Sequence, residues 1–311
     1  MILTFTPNPC VDKTIFLKEI TLGGKMRAPR YDCVAGGKGN NVARAVKTMG
    51  RSSTAMVVVG GHTGRHVVDM IEQDDGVTCV PAWVESPTRT ITTVLEEKHH
   101  RQSAFFEPGS TITEGDHASM ISLFTTAVQG MRVVSFNGAV SDRGIETIYR
   151  DLIPIAHEAG AMTILDTYGP ELEAGLEAKP YMVKPNGEEA AAWAGLDPDK
   201  RKTPRRAADK FHEHGVKLVV ISLGANGALV SRDGECLRVT PPAIEEVNPV
   251  GSGDSLVAGF AIGLLETMAL EEMAALACAM GTANAANWDI GHFTAKEVEK
   301  LRSKVQVEPW S

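Results

Sequence analysis

The chain has 311 residues, 43 % of them hydrophobic and 23 % charged, the balance of a globular protein with a core of its own. A net charge of −8 speaks against an electrostatic grip on nucleic acid or an anionic membrane. No run approaches the ~20 uncharged apolar residues of a membrane-spanning helix. Residues 1–9 lack the basic start and long apolar run of a secretion signal. Cys10, Cys33, Cys79, Cys236 and Cys278 are odd in number and form no C-x-x-C, so reduced thiols and a cytoplasmic location are expected.

In chain order, residues 2–6 read as a strand stopped by Pro7, and residues 42–49 as a helix closed by Gly50. Residues 53–59 form a buried strand, followed by a helix over about 63–74. Further buried strands are expected at 131–136, 162–166, 181–183 and 218–222, with helices between them near 142–159, 188–194 and 204–214. The last third reads as a hairpin around Asp233-Gly234, then helices over about 253–267, 270–287 and 294–304. Alternating strands and helices predict an α/β fold, a mostly parallel central sheet with helices on both faces. Two segments break that rhythm, 14–34 and the alternating 88–97. They predict a small antiparallel lid, built from about 14–34 and 77–106 and inserted in a single domain over 1–311.

Two glycine-rich stretches each open a helix. Gly36-Gly37-Lys38-Gly39-Asn40-Asn41 puts flexible backbone and a lysine at a helix N-terminus, where free N–H groups and the positive dipole end favour an anion. It is neither a Walker A loop nor G-x-G-x-x-G. The second stretch is Asn248-Pro249-Val250-Gly251-Ser252-Gly253-Asp254-Ser255. Gly251, Ser252 and Gly253 would offer successive N–H donors to a developing negative charge. Asp254 lies beside them in the first helical turn, where it either caps the helix or takes a proton from an attacking hydroxyl.

These stretches resemble the ribokinase/PfkB carbohydrate kinases, and in particular the branch that acts on phosphosugars. Three further stretches extend the resemblance over nearly the whole chain. Asn8-Pro9-Cys10-Val11-Asp12 matches N-P-x-x-D. Lys184-Pro185-Asn186-Gly187-Glu188-Glu189 matches K-P-N-x-x-E, and Ser222-Leu223-Gly224-Ala225-Asn226-Gly227 matches S-L-G-x-x-G.

The resemblance implies a ribokinase-like fold and a kinase using ATP and Mg²⁺ on a ketohexose phosphate. Fructose 1-phosphate is the substrate expected first, and tagatose 6-phosphate or fructose 6-phosphate are close competitors. It makes Asp254 the base and Gly251, Ser252 and Gly253 the anion hole. Asn186 and Glu189 would organise Mg²⁺ through water. Lys184, Ser222, Gly224, Gly227 and Asn284 would line the nucleotide site. Asp12, Gly36, Gly37 and Asn41 would meet the sugar. Lys25, Lys38 and Arg89 are the cations expected at its existing phosphate, since an acidic chain needs a local basic set to hold an anion.

Two departures from the branch pattern stand out. Ser135-Phe136-Asn137-Gly138 replaces a Ser-Gly-Ser type of turn, with Asn137 taking the sugar contact, and Thr88-Arg89-Thr90-Ile91 lacks the asparagine of T-R-x-N. His62, His66, His99 and His100 show no metal-ligand spacing. The resemblance also allows a homodimer joined through the lid. A non-catalytic sugar-phosphate sensor is the rival of another class, opposed by the intact Asp254, Asn186 and Glu189. A nicotinamide dehydrogenase is opposed by the missing G-x-G-x-x-G.

Overall fold

The computed structural model describes residues 1–310. Ile2–Thr6 (β1) is buried along its whole length. Cys10–Leu17 (β2) and Arg30–Gly36 (β3) form a hairpin that runs straight into Lys38–Thr48 (α1). Ser53–Gly60 (β4), Gly61–Asp69 (α2) with a π turn at Met70–Asp74, and Thr78–Val84 (β5) return the chain to the main sheet. A second hairpin follows, Arg89–Glu96 (β6) and Arg101–Phe106 (β7).

From there strands and helices alternate: Glu114–Ala127 (α3), Val133–Asn137 (β8), Ile148–Glu158 (α4), Met162–Asp166 (β9), Pro170–Glu177 (α5), Met182–Val183 (β10), Gly187–Ala194 (α6), Thr203–Glu213 (α7) and Leu218–Ser222 (β11). Ala228–Arg232 (β12), Glu235–Thr240 (β13), Ser252–Leu265 (α8), Leu270–Ala285 (α9), Ala295–Arg302 (α10) and Gln306–Pro309 (β14) complete the chain. No helix among the described residues is long and apolar enough to cross a membrane.

The large sheet has ten strands in the order β14-β13-β12-β11-β10-β9-β8-β1-β4-β5. It is parallel from β5 to β11 and antiparallel from β11 to β14. Alternate residues of each central strand face opposite ways. Leu3, Phe5, Val134, Phe136 and Leu165 pack with Phe124, Leu152 and Phe211 on one side. Ile2, Val133 and Ile164 pack with Val42, Val257, Phe260 and Met280 on the other. The expectation of helices on both faces is met. After β1 the sheet grows through β4 and β5 on one side, then through β8, β9 and β10 on the other. The crevice between the carboxyl ends of β1 and β8 is therefore a topological switch point, where open α/β sheets place ligands.

The small sheet has four strands in the order β3-β2-β6-β7. It differs from the expected lid in two ways. Its two hairpins join through a parallel β2–β6 pair, because both leave the large sheet in the same direction. Residues 78–84 belong to the large sheet as its edge strand β5, so only 89–106 of the expected 77–106 joins the small sheet, while β2 begins earlier, at Cys10. Phe16 on β2 packs against Trp288 beyond α9, tying the small sheet to the main body. All five cysteines are free thiols.

Candidate active site

The floor of the crevice is built from two helix N-termini. At the first, β3 ends in Gly36 and α1 begins at Lys38 with Gly37 as its N-cap, at φ 117°. A Cβ on Gly36 would lie 2.8 Å from the Asp12 Cβ, and one on Gly39 would lie 2.2 Å from Thr6 Oγ1. Only glycine lets this loop settle onto the end of β1 beside Asp12. At the second, Gly251 takes the left-handed conformation at φ 80° and caps α8. The N–H of Ser255 closes the first turn on the Gly251 carbonyl at 2.9 Å.

The anion hole differs from the expectation in one donor. Ser252 donates its N–H to the Pro249 carbonyl at 3.2 Å and is already spent. The backbone N–H groups of Gly251, Gly253 and Asp254 have no acceptor among the described residues. They stay open at the positive end of the helix, as an anion site requires.

Asp254 is buried, and its Oδ2 accepts from Asn41 Nδ2 at 2.8 Å, which joins α8 to α1. Burial pushes its carboxyl up to about 6; neighbouring Asp166 adds to the rise, while Lys38, Asn41 and Lys184 oppose it. Asp166, at the carboxyl end of β9, was not singled out from the sequence. Its Oδ1 lies 3.4 Å from Lys38 Nζ and 3.3 Å from Lys184 Nζ, and its Oδ2 is buried without a partner. Asp166 also holds the Lys38 ammonium well above its ordinary range. The one signal that could have found it is its position, an acid ending a central parallel strand. Lys184 follows β10, and its ammonium would touch a Cβ on Gly253 at 3.5 Å, so it reaches the anion hole. Two lysines and two aspartates thus form a nearly neutral cluster under the open amides.

Other expected residues are placed variously. Burial raises the Asp12 carboxyl while Arg44 opposes the rise. Arg89, at the start of β6, makes one long contact with the Asn8 carbonyl at 3.4 Å, and its Nε is buried without a partner. Its guanidinium has no carboxylate partner among the described residues, which leaves it able to take an anion. Lys25 is exposed on the β2–β3 connection, away from any partner among the described residues.

Asn186 and Glu189 cap α6 reciprocally: Asn186 Oδ1 accepts from the Glu189 N–H, and Glu189 Oε2 accepts from the Asn186 N–H, each at 2.8 Å. Glu189 Oε1 accepts nothing among the described residues. Ser222 bridges to Asn186 through its backbone. Gly227, at φ 85°, could carry no side chain, since a Cβ would lie 1.8 Å from the Val239 carbonyl oxygen. Gly224 is left-handed as well, at φ 59°.

Two expected contacts are corrected. Asn137 is fully buried, with Oδ1 accepting from Ser135 Oγ at 2.8 Å and Nδ2 donating to the Ser135 carbonyl at 2.7 Å, so its polar atoms turn into its own strand rather than toward a sugar. Asn284 is also buried. It donates to the Val250 carbonyl at 2.7 Å and accepts from the Gly291 N–H at 2.8 Å, so it braces the loop before α8 instead of bordering a nucleotide.

The family model of the pfkB family carbohydrate kinase matches residues 6–287. The chain belongs to the pfkB family of carbohydrate kinases. Tagatose-6-phosphate kinase of Staphylococcus epidermidis is 30 % identical over 311 residues, covering 99 % of each chain. Phosphofructokinase-2 from Escherichia coli, solved with fructose-6-phosphate, is 29 % identical, with a TM-score of 0.88 over 97 % of this chain and 98 % of its own. Arabidopsis thaliana ribokinase, solved with ribose and ATP, shares the fold at a TM-score of 0.78 and 20 % identity, over 97 % of this chain and 98 % of its own. This pfkB protein is a carbohydrate kinase, a phosphotransferase with an alcohol group as acceptor.

Proposed function

We propose that this kinase moves the γ-phosphoryl group of ATP onto a hydroxyl of a ketohexose phosphate, with Asp254 as the base. The observation that carries the reading is the pairing of a buried carboxylate with open amides at the N-terminus of α8. The acceptor hydroxyl gives its proton to Asp254. Its oxygen forms a bond to the γ-phosphorus as the bond from that phosphorus to the bridging oxygen of ADP breaks. The amides of Gly251, Gly253 and Asp254, with Lys184 and Lys38, offset the charge on the moving group.

Asp12 and the Gly36–Gly37 loop would hold the sugar, and Arg89 its existing phosphate. Ser222, Gly224 and Gly227 would border the nucleotide. No three His, Cys, Asp or Glu side chains among the described residues form a metal cage. That suits Mg²⁺, which keeps several waters and binds to phosphate oxygens. Glu189, through its uncommitted Oε1, and Asn186 would hold it through water. Bound there, Mg²⁺ supplies charge neutralisation to the phosphates.

On substrate, one relative near 30 % identity is named for tagatose 6-phosphate and the other was solved with fructose-6-phosphate, so we place a 6-phosphorylated ketohexose ahead of fructose 1-phosphate. ADP release measured over fructose 1-phosphate, fructose 6-phosphate, tagatose 6-phosphate and the free sugars tests this. A kcat/KM highest for a free sugar would overturn the phosphosugar reading. For assembly, β7 is exposed along its whole length at an open sheet edge, with Phe105 and Phe106 more than 60 % accessible. An edge of this kind supports pairing with a second copy through the small sheet. Sedimentation of a Phe105→Ser/Phe106→Ser variant should show a lighter species than wild type; unchanged mass would refute the pairing.

A further inference from the structure

Arg44 is among the largest fully buried side chains of the described residues, and it carries a charge. Its five N–H donors are all used. Nε donates to Asp75 Oδ1 at 2.6 Å and Nη2 to Asp75 Oδ2 at 2.8 Å. Nη2 also donates to the Ala35 carbonyl at 2.9 Å, just before the Gly36–Gly37 loop. Nη1 donates to the Ile290 carbonyl at 3.3 Å and to Asn41 Oδ1 at 3.0 Å. Asn41 in turn donates to Asp254 at 2.8 Å.

A terminal amide has nearly the same shape after a half turn, so packing alone does not decide whether oxygen or nitrogen meets Asp254. A guanidinium has no acceptor, so the Asn41 oxygen must face Arg44 and the Asn41 NH₂ must face Asp254. Asp75 balances the charge of Arg44, which leaves orientation as its principal influence on the carboxylate. The π turn at Met70–Asp74 delivers Asp75 to this place.

We infer that Arg44 is a positioning residue for phosphoryl transfer: braced by Asp75, it locks the Asn41 amide as a donor and so holds Asp254 as an ionised acceptor in one orientation. The inference rests on the reading of Asp254 as base. The charged groups facing Asp254 are Asp166 from β9, Lys38 from α1 and Lys184 after β10. None of the three is replaced in the variants below.

The test is a kinetic cycle on the full chain with ATP, Mg²⁺ and its best sugar phosphate, using Arg44→Met/Asp75→Asn to remove both charges together. The double variant should lose roughly tenfold to a hundredfold in kcat. The acid limb of its kcat profile should move to higher pH, because the ionised carboxylate has lost a fixed donor. In an Asn41→Leu background the same double change should cost less than about twofold, since its route to Asp254 is already cut. A merely structural role would lower Tm, leave the acid limb in place, and add its full cost to that of Asn41→Leu. Either of the last two results overturns the inference.

Should the double variant not fold, Asn41→Asp decides. It keeps an acceptor for Arg44 but turns a carboxylate oxygen toward Asp254, so the acid limb should rise by about one pH unit or more. An unmoved limb overturns the inference. Turnover by Asp254→Asn near that of wild type would instead remove the base reading itself, and so separates the two failures.

Discussion

Replacing Asp254 by asparagine takes a buried negative charge out of the crevice while keeping an oxygen to accept from Asn41. The folded carboxyl titrates at about 6, against 3.8 for the ordinary group, so the native state holds its proton more tightly than the unfolded chain does. Asp254 therefore lowers stability as pH rises from 3.8 through about 6, and the loss is complete above that. The full span corresponds to about 3 kcal/mol. Between about pH 5 and pH 7.5 roughly half of that span is lost. Urea unfolding of wild type and Asp254→Asn across that range reads the difference directly, because the other titrating groups are common to both proteins. The variant should gain on wild type by that amount toward the higher pH, while losing nearly all turnover. Parallel stability profiles, or a wild type that gains on the variant, would refute the account of a carboxylate held ionised against its burial.

Activity should share this titration: kcat of wild type should fall as pH drops through about 6, and a profile flat well below that would remove Asp254 as the group that must be ionised. Asp166 raises the Asp254 carboxyl, so Asp166→Asn should move the acid limb to lower pH while kcat falls, as Lys38 and Lys184 lose their shared anchor; a limb that moves up would contradict the charge arrangement. Gly227→Ala forces a Cβ against the Val239 carbonyl at positive φ, so it should cost more than about 2 kcal/mol in denaturant unfolding and weaken nucleotide binding by calorimetry. A stability unchanged within ~0.5 kcal/mol would show that the loop yields easily.

What the sequence revealed was chiefly backbone chemistry. The Gly36–Gly37 and Gly251–Gly253 loops were legible because tight turns at helix starts leave a local mark in residue type, and Asp254 was legible because it follows one of them. Asp166 and Asp75 left no such mark. They meet Asp254 or its partners only after β9 and the π turn are folded against α1. Asn137 and Asn284 were assigned to ligands for their place near motifs, yet a buried amide must satisfy its own donors and acceptors, and neighbouring chain atoms do so first. The lid boundary was drawn too early, since 78–84 is a strand of the large sheet that contains Pro81. An edge strand tolerates proline, and β5 is the edge of the large sheet.

The two-sided burial of the central strands has a consequence for how this protein can change. In β8, Val133 belongs to one core and Val134 to the other, and β1 divides Ile2 from Leu3 in the same way. Deleting one residue from either strand would exchange the two sets, sending side chains shaped for one helical layer into its opposite. Insertions and deletions can accumulate in the exposed connections, but the catalytic crevice stands at the tips of strands that admit only replacement in place. New sugar preference on this scaffold must therefore arise by exchanging side chains around a fixed frame, or by lengthening the hairpin turns of the small sheet above it.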